Sequence, residues 1–165
     1  MKFLTTSLCL LTLLIVISSC KPDLNVSIDE TTPAEEQMTY DSTLAAQLGA
    51  DEYGMRKYVM AFLKAGPNQD MDSTQASKLQ RAHLDNIFRL ADEGKLAVAG
   101  PFLDGGELKG VYVFNVTSIE EAKELTETDP AVKAGRFILE LHPWYGSAAM
   151  MKVNDWHKKV QKKNI

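Results

Sequence analysis

The stretch that decides the fold is residues 72–116, DSTQASKLQRAHLDNIFRLADEGKLAVAGPFLDGGELKGVYVFNV. In its first half, from Ser73 to Gly94, apolar side chains recur at helical spacing and predict one amphipathic helix. Asp72 and Gln75 resemble a capping box at its start, and a glycine is typical of a helix end. The second half predicts two short strands separated by a glycine-containing loop. A helix is thus followed by two consecutive strands.

His83 is the notable residue of this helix, because it lies in the apolar half of the helix circumference. Charged side chains occupy the other half, and Gln80 lies one turn before the histidine. A titratable ring is thereby directed toward the protein interior, where burial and hydrogen bonds control its protonation and tautomer. Two interpretations remain open. The ring is a general acid or base, or it is a core histidine bonded to a backbone carbonyl oxygen.

Further elements on both sides of this stretch complete an alternating order. The sequence predicts a strand, the helix, two strands, a second helix, a short turn and a last strand, with the ranges 57–63, 73–94, 96–99, 110–116, 118–128, 129–135 and 136–142. The second helix begins with another capping box, at Ser118 and Glu121. The order β-α-β-β-α-β is that of the ferredoxin-like plan, so we expect an α+β fold.

The first and third predicted strands carry apolar side chains on both faces. One helix layer covers only one face of a sheet, so the other face needs a second cover. We expect a homodimer in which two sheets pack face to face. Residues 147–165 predict a basic helix, and its folding back on the domain is the alternative cover. This helix is expected to dock with its lysines in solvent, the alternative being an anionic membrane surface.

Residues 1–19 predict a lipoprotein signal peptide. Lys2 precedes a short apolar run that is too brief to span a membrane. The run ends in Ile17-Ser18-Ser19-Cys20, which resembles the bacterial lipobox and implies cleavage before Cys20 and attachment of diacylglycerol to its sulfur. We expect a protein anchored in the cell envelope. Because the next residue is Lys rather than Asp, the outer membrane, facing the periplasm, is favoured in a Gram-negative cell.

Residues 20–54 are acidic and lack sustained apolar periodicity, which predicts a flexible tether. A short helix at Ser42–Leu48 is the one element considered within it. The folded domain is expected at 55–146. The chain carries 18 Lys and Arg against 22 Asp and Glu, a balance that gives no reason to expect nucleic-acid binding.

The sequence lacks the motifs that are typical of several kinds of catalytic or binding site. Cys9 is expected to leave with the signal peptide and Cys20 to be lipidated, which would leave no thiol for a disulfide or a nucleophile. The sequence contains no spaced pair of metal ligands, no glycine-rich nucleotide motif and no hydrolase elbow. We therefore expect neither a metal nor a cofactor.

Three features in order resemble the YCII-related family, and the resemblance covers about residues 57–145. They are His83 in the first helix, Gly100-Pro101-Phe102 after the second strand, and Asp129-Pro130 followed five residues later by Gly135. The resemblance implies a dimeric α/β barrel of the ferredoxin-like type with a His and Asp active site. At least one member dehydrochlorinates a chlorinated hydroxyhydroquinone.

By this resemblance, His83 is the general acid or base, and Asp129 holds the imidazole or accepts a proton itself. Gly100 and Pro101 shape the pocket wall. Two further residues are predicted to contribute hydrogen bonds to the substrate, from helical position and chain order: Tyr58 and Gln80. Structural alternatives stay open, because Asp before Pro is typical of a helix cap, and glycine and proline are typical of turns.

We therefore expect a small lyase- or isomerase-like enzyme that moves a proton on a small organic molecule without a cofactor. The alternative is a non-catalytic module of the cell envelope that binds a small ligand or a partner. The signal peptide, tether and basic tail differ from the short soluble members of the family, and they suit the alternative. Contact between His83 and Asp129 beside a pocket distinguishes the two.

Overall fold

A four-stranded antiparallel sheet lies at the centre of the computed structural model, which describes residues 39–163 and residue 165. The spatial order of its strands is β2-β3-β1-β4. Their bounds are β1 (Met55–Ala65), β2 (Leu96–Pro101), β3 (Leu108–Phe114) and β4 (Phe137–Ser147). A helix follows β1 and another follows β3, so the predicted ferredoxin-like α+β fold is confirmed.

The described helices are α1 (Ser42–Leu48), α2 (Ser73–Asp92), α3 (Ile119–Thr126), α4 (Pro130–Lys133) and α5 (Val153–Val160), with a 3₁₀ helix (Ala148–Lys152) before α5. Both predicted capping boxes are confirmed at their first residue, since Asp72 accepts from the backbone N–H of Gln75 and Ser118 from that of Glu121. Gly94 follows α2 with a φ of 68°, a left-handed conformation that favours glycine. No described helix is long and apolar enough to cross a membrane.

The main core lies between the sheet and helices α2 and α3. On β1 it takes alternate residues, because side chains along a strand point to opposite faces. Its buried members are Val59, Ala61, Leu63, Leu90, Leu96, Tyr112, Phe114, Val116 and Ala122. This face of the sheet is the one that positions the candidate site.

The second sheet face is partly covered by the chain itself. Tyr58, Ala97 and Val113 form a smaller buried cluster there, against which Met150 and Met151 of the 3₁₀ helix pack. The C-terminal segment, which was the predicted alternative to a second copy of the chain, therefore covers part of this sheet face. The homodimer stays a prediction.

The end of the chain differs from the predicted pattern. β4 does not stop at His142 but continues through Pro143 to Ser147. A proline is tolerated here because β4 is an edge strand, where one side of the backbone needs no partner. The predicted single helix over 147–165 is two pieces, the 3₁₀ helix and α5.

The predicted tether, 20–54, differs in its second part. From Thr39 onward its residues belong to the same compact unit as the domain. Helix α1 occupies the bounds considered from the sequence, with Asp41 accepting from the backbone N–H of Leu44 at 2.9 Å. The Arg56 guanidinium donates to the carbonyl oxygen of Leu48 at 2.6 Å and thereby holds the end of the helix. The signal peptide, Cys20 and the first part of the tether lie outside the described residues.

Candidate active site

His83 and Asp129 form a buried pair between helix α2 and the start of α4. Nδ1 of His83 lies 2.7 Å from Oδ2 of Asp129, and the two residues are 6% and 1% exposed. The other carboxylate oxygen of Asp129 accepts from the backbone N–H of Ala131 at 2.8 Å. The same carboxylate therefore caps α4 and holds the histidine ring.

These partners determine the tautomer of His83. An ionised carboxylate only accepts hydrogen bonds, so the hydrogen of a neutral ring lies on Nδ1. The lone pair is then on Nε2, which lies 3.3 Å from the hydroxyl oxygen of Tyr112. In this tautomer Tyr112 donates to Nε2. The basic nitrogen of the ring is thus Nε2, and His83 is the middle member of a chain of three side chains, Asp129, His83 and Tyr112.

Tyr112 is the partner of His83 that the sequence analysis did not predict. It lies buried on β3, with its ring beside that of His83 at a centroid distance of 6.4 Å. Burial raises the pKa of Tyr112, and the negative charge of Asp129 raises it further. The hydroxyl therefore stays protonated near neutral pH and remains a hydrogen-bond donor.

A signal for Tyr112 was present in the strand pattern. Alternation along β3 places Tyr112 and Phe114 on one face, and the register pairs Tyr112 with Ala61 on β1. Because both faces of this strand are apolar, alternation alone does not tell which one faces the helices. The register of β3 with β1 supplies that information, and the register is known only from the structure.

A cavity of about 480 Å³ opens beside His83, between α2, strands β2 and β3, and the segment 153–165. Its wall is mostly apolar, with Leu63, Leu84, Ile87, Phe88, Leu96 and Phe137 among the lining residues. Gln80, Gly100 and Pro101 also line it, so the structure brings these three predicted residues together with His83. Asp129 is not part of the wall, and the pair presents only its histidine to the cavity.

Tyr58 does not belong to this site, in contrast to the prediction. It is buried in the cluster on the second sheet face, and its hydroxyl donates to the carbonyl oxygen of Ser147 at 3.0 Å. The physical reason is strand parity, because Val59 and Ala61 face the helices and Tyr58 therefore faces away. Chain order placed it near the site, whereas its side chain lies on the other side of the sheet.

The charged lining residues of the cavity are basic. Lys109 and Arg136 contribute to the wall, and no Asp or Glu is among the described residues that line it. The described residues also contain no group of three or more His, Cys, Asp or Glu side chains that would hold a metal ion. The cavity therefore suits a largely apolar molecule that carries a negative or electron-rich group.

The segment 153–165 forms one wall of the cavity through Val153, Asn154, His157 and Ile165. Three polar contacts hold this segment. Asn154 donates to the carbonyl oxygen of Leu96 at 2.8 Å, Lys158 pairs with Asp92 at 2.9 Å, and Arg81 donates to the carbonyl oxygen of Ile165 at 2.9 Å.

Fold and site together define a ferredoxin-like α+β protein with a buried His–Asp pair beside a ligand-sized cavity. The YCII-related domain model matches residues 56–145, more than half of the chain, and the chain belongs to the YCII-related family. The predicted family is thus confirmed. The wall formed by 153–165 lies outside the matched range.

The chain is similar to two further proteins over part of its length. An uncharacterized protein of Bacillus subtilis (strain 168), YjpA, is 37% identical over 62 residues, which are 38% of this chain and 71% of that protein. Among solved structures, the 5-chloro-2-hydroxyhydroquinone dehydrochlorinase TftG from Burkholderia phenoliruptrix AC1100, in complex with 2,5-dihydroxybenzoquinone, is 26% identical, with a TM-score of 0.40. The match covers 53% of this chain and 92% of that chain.

Proposed function

We propose that this protein is a cofactor-free enzyme of the lyase or isomerase type, in which His83 moves a proton on a small organic substrate. One observation carries the proposal. Nδ1 of His83 lies 2.7 Å from Oδ2 of a buried Asp129, while the same ring lines the cavity. A carboxylate in this position orients the imidazole and stabilises its protonated form, which is what a general base requires.

The proton transfer begins at Nε2. A substrate in the cavity displaces the Tyr112 hydroxyl from Nε2, helped by the length of that contact, 3.3 Å. Nε2 then removes a proton from an acidic carbon of the substrate, and Asp129 stabilises the imidazolium that forms. The electron pair left on carbon forms a double bond as a leaving group such as chloride departs. In an isomerisation, Nε2 instead returns the proton to another carbon.

Tyr112 and the basic rim complete the proposed site. Once displaced from Nε2, the Tyr112 hydroxyl is free to donate to an oxygen of the substrate on which negative charge develops. Lys109 and Arg136, at the wall of the cavity, balance that charge. The apolar wall excludes water, which strengthens these interactions.

The test is proton exchange and chloride release by the chain from Lys21 to Ile165. Candidate carbon acids, namely cyclic diketones and chlorinated hydroquinones, are incubated in D₂O and followed by NMR and chloride detection. We expect activity in the wild type and in the matched control His142→Gln, but not in His83→Gln. Asp129→Asn, which retains a capping residue, replaces His83→Gln if the latter does not fold. Equal activity in His83→Gln and in the wild type contradicts the proposal.

One observation favours a second candidate, a non-catalytic binding module. Both ring nitrogens of His83 already have protein partners, and the residue is almost fully buried. A module of this kind binds the same molecules in the cavity and raises the melting temperature, but neither exchanges protons nor releases chloride. Binding without turnover in the same assay therefore identifies it.

We further propose that Cys20 anchors the protein in the cell envelope. The support is the Ile17-Ser18-Ser19-Cys20 pattern alone. Mass spectrometry of the mature protein from membranes is expected to find an acylated cysteine at its first position. Cys20→Ser is expected to abolish the modification, and an unmodified membrane-bound protein contradicts the proposal.

The homodimer is proposed on the part of the second sheet face that the 3₁₀ helix does not cover. Ile138 on β4 is 50% exposed there, opposite Lys64 in the register and on the same face as the partly buried Phe62. Sedimentation equilibrium is expected to show a dimer for the wild type and a monomer for Ile138→Glu. A monomeric wild type contradicts it.

A further inference from the structure

A second apolar surface lies outside the cavity, between helix α1 and the end of the chain. A groove there is lined by Leu44 and Leu48 of α1 and by Val153, Trp156 and Val160 of α5. We call these five residues the α1–α5 surface. Trp156 is 61% exposed and Val160 is 77% exposed. On α5 the three apolar residues recur at the spacing of one helix face, so α5 presents an apolar stripe outward.

The α5 side of the α1–α5 surface is rich in lysine. The segment 152–163 contains five of them, against Asp155 as the only acidic residue. Lys152 pairs with Asp155 and Lys158 with Asp92. Among the described residues, no carboxylate lies within 4.0 Å of the amino groups of the other three, Lys159, Lys162 and Lys163. Nζ of Lys159 lies 4.5 Å from the ring centroid of Trp156, so positive charge and the exposed indole are adjacent.

We propose that the α1–α5 surface docks on an anionic phospholipid bilayer. An exposed tryptophan beside lysines is suited to the membrane interface, where the indole enters the headgroup region and the ammonium groups contact lipid phosphates. The described unit begins at Thr39, three residues before α1, so α1 is the element of this unit that follows the proposed anchor at Cys20 first in the sequence. The docking depends neither on catalysis nor on lipidation.

A second copy of the chain is a poorer occupant of this surface. A two-fold symmetric contact brings the same residues of both copies together. Residues 152–163 carry five lysines against one aspartate, so such a contact brings together two surfaces that each have an excess of positive charge on the α5 side. An anionic bilayer instead supplies the complementary charge.

The test uses the unlipidated chain from Lys21 to Ile165, which contains the whole compact unit. It is sedimented with vesicles of phosphatidylglycerol and phosphatidylcholine in equal amounts, and with vesicles of phosphatidylcholine alone. We expect binding only to the anionic vesicles, and its loss between about 0.1 M and about 1 M salt. The fluorescence of Trp156 is expected to shift to the blue on binding, and a Trp156→Phe variant, which retains Trp144, is expected to lack this shift.

Two charge variants provide the matched comparison. The triple variant Lys159→Glu, Lys162→Glu, Lys163→Glu is expected to lower vesicle affinity more than about tenfold. The control is Lys78→Glu, Lys123→Glu, Lys133→Glu, which changes the net charge equally at exposed positions of α2, α3 and α4. Its affinity is expected to change far less.

Four results overturn the proposal. They are absence of binding to anionic vesicles, equal binding to neutral vesicles, an equal loss in both charge variants, and a change of oligomeric state in Trp156→Phe. The last result assigns the surface to a second copy of the chain.

Discussion

Two histidine–carboxylate pairs of this protein have similar geometry and opposite surroundings. His83 and Asp129 lie 2.7 Å apart, with side chains 8% and 2% exposed, whereas His142 and Glu140 lie 3.0 Å apart, with side chains 49% and 50% exposed. The first pair joins two helices beside a cavity, and the second lies along one edge strand. The comparison shows that distance alone does not identify a site. Burial decides whether the partners control each other's state.

The two pairs differ in which other partners are available to the histidine and to the carboxylate. Around the exposed pair, water and salt replace or screen the interaction, and Glu140 also bonds to Lys64 at 2.8 Å. The hydrogen bond from Lys64, followed by that from His142, lowers the pKa of Glu140. Among the described residues, the carboxylate of Asp129 has only His83 and the backbone N–H of Ala131 as partners, so removal of either partner leaves a buried group unsatisfied.

The largest expected effect comes from removing each histidine in turn. His83→Ala leaves the buried carboxylate of Asp129 with only the backbone N–H of Ala131 among its described partners, and we expect a loss of about 3–5 kcal/mol in the free energy of unfolding. His142→Ala is the matched control and is expected to cause no measurable loss. Urea denaturation of both variants measures the difference. Similar unfolding midpoints for the two variants would contradict the conclusion that the buried pair stabilises the fold more than the exposed pair does.

The next effect separates the charge of Asp129 from its role as a cap. Asp129→Asn retains a good capping residue, and the amide N–H₂ donates to Nδ1, so the ring hydrogen moves to Nε2. We expect a stability loss of only about 1–2 kcal/mol, because each buried group keeps a partner. Under the proposed function, proton exchange falls by about 10²- to 10⁴-fold, since Nε2 no longer accepts a proton.

Glu140→Gln is the matched control for this change, and we expect it to leave exchange unaltered. NMR of the ring ¹⁵N nuclei reports the tautomer of His83 directly. An unchanged tautomer in Asp129→Asn contradicts the assignment of the hydrogen to Nδ1.

The sequence predicts those parts of the site that depend on neighbouring residues, and it does not predict contacts between residues far apart in the chain. Helical periodicity indicates a buried His83, and Asp before Pro indicates a cap at 129, because both signals are local. The contact between them joins residues 46 positions apart, and only the family resemblance pointed to it. For a related reason the sequence analysis predicted Tyr58 at the site and did not identify Tyr112. Which face of an apolar strand meets the helices depends on register across the sheet, not on the strand itself.

The described ends of the chain were the hardest to predict. Helices as short as α1 and α5 are marginal alone, so tertiary contacts decide whether they form. For α1 one such contact is Arg56 on the carbonyl of Leu48, and for α5 it is Asn154 on the carbonyl of Leu96. Neither contact leaves a sequence pattern. The sequence therefore does not predict that residues of α5 and Ile165 line the cavity, and only the structure shows it.

A smaller effect concerns the third member of the buried site. Tyr112→Phe removes the hydroxyl that donates to Nε2, and we expect a loss of about 0.5–1.5 kcal/mol, near the lower end because the contact is 3.3 Å long. Tyr145→Phe is the matched control, since its hydroxyl is at the surface and water replaces the lost contact with Asp51. Thermal and urea unfolding measure both. If Tyr145→Phe lowers the free energy of unfolding as much as Tyr112→Phe does, the buried hydroxyl contributes no more to stability than the exposed one.

The smallest effect is alkaline and concerns the same tyrosine. In the folded state the pKa of Tyr112 is raised above its ordinary value of 10.0, by burial first and by the charge of Asp129 second. Between the unfolded and folded pKa values, the native state keeps a proton that the unfolded chain has released. The free energy of unfolding therefore falls as pH rises above about 10, at most by about 1.4 kcal/mol per pH unit for this group.

Tyr112→Phe removes this titration, whereas the raised pKa of Tyr58, also caused by burial, remains in both proteins. The wild type is therefore expected to be the more stable protein up to about pH 9, and its advantage is expected to shrink as pH rises from about 10 to 11. Urea midpoints of the two proteins across this range measure it. If the difference in stability stays constant with pH, the Tyr112 hydroxyl titrates alike in the folded and unfolded states. Burial then does not control the chemistry of this site in the way that separates it from the exposed pair.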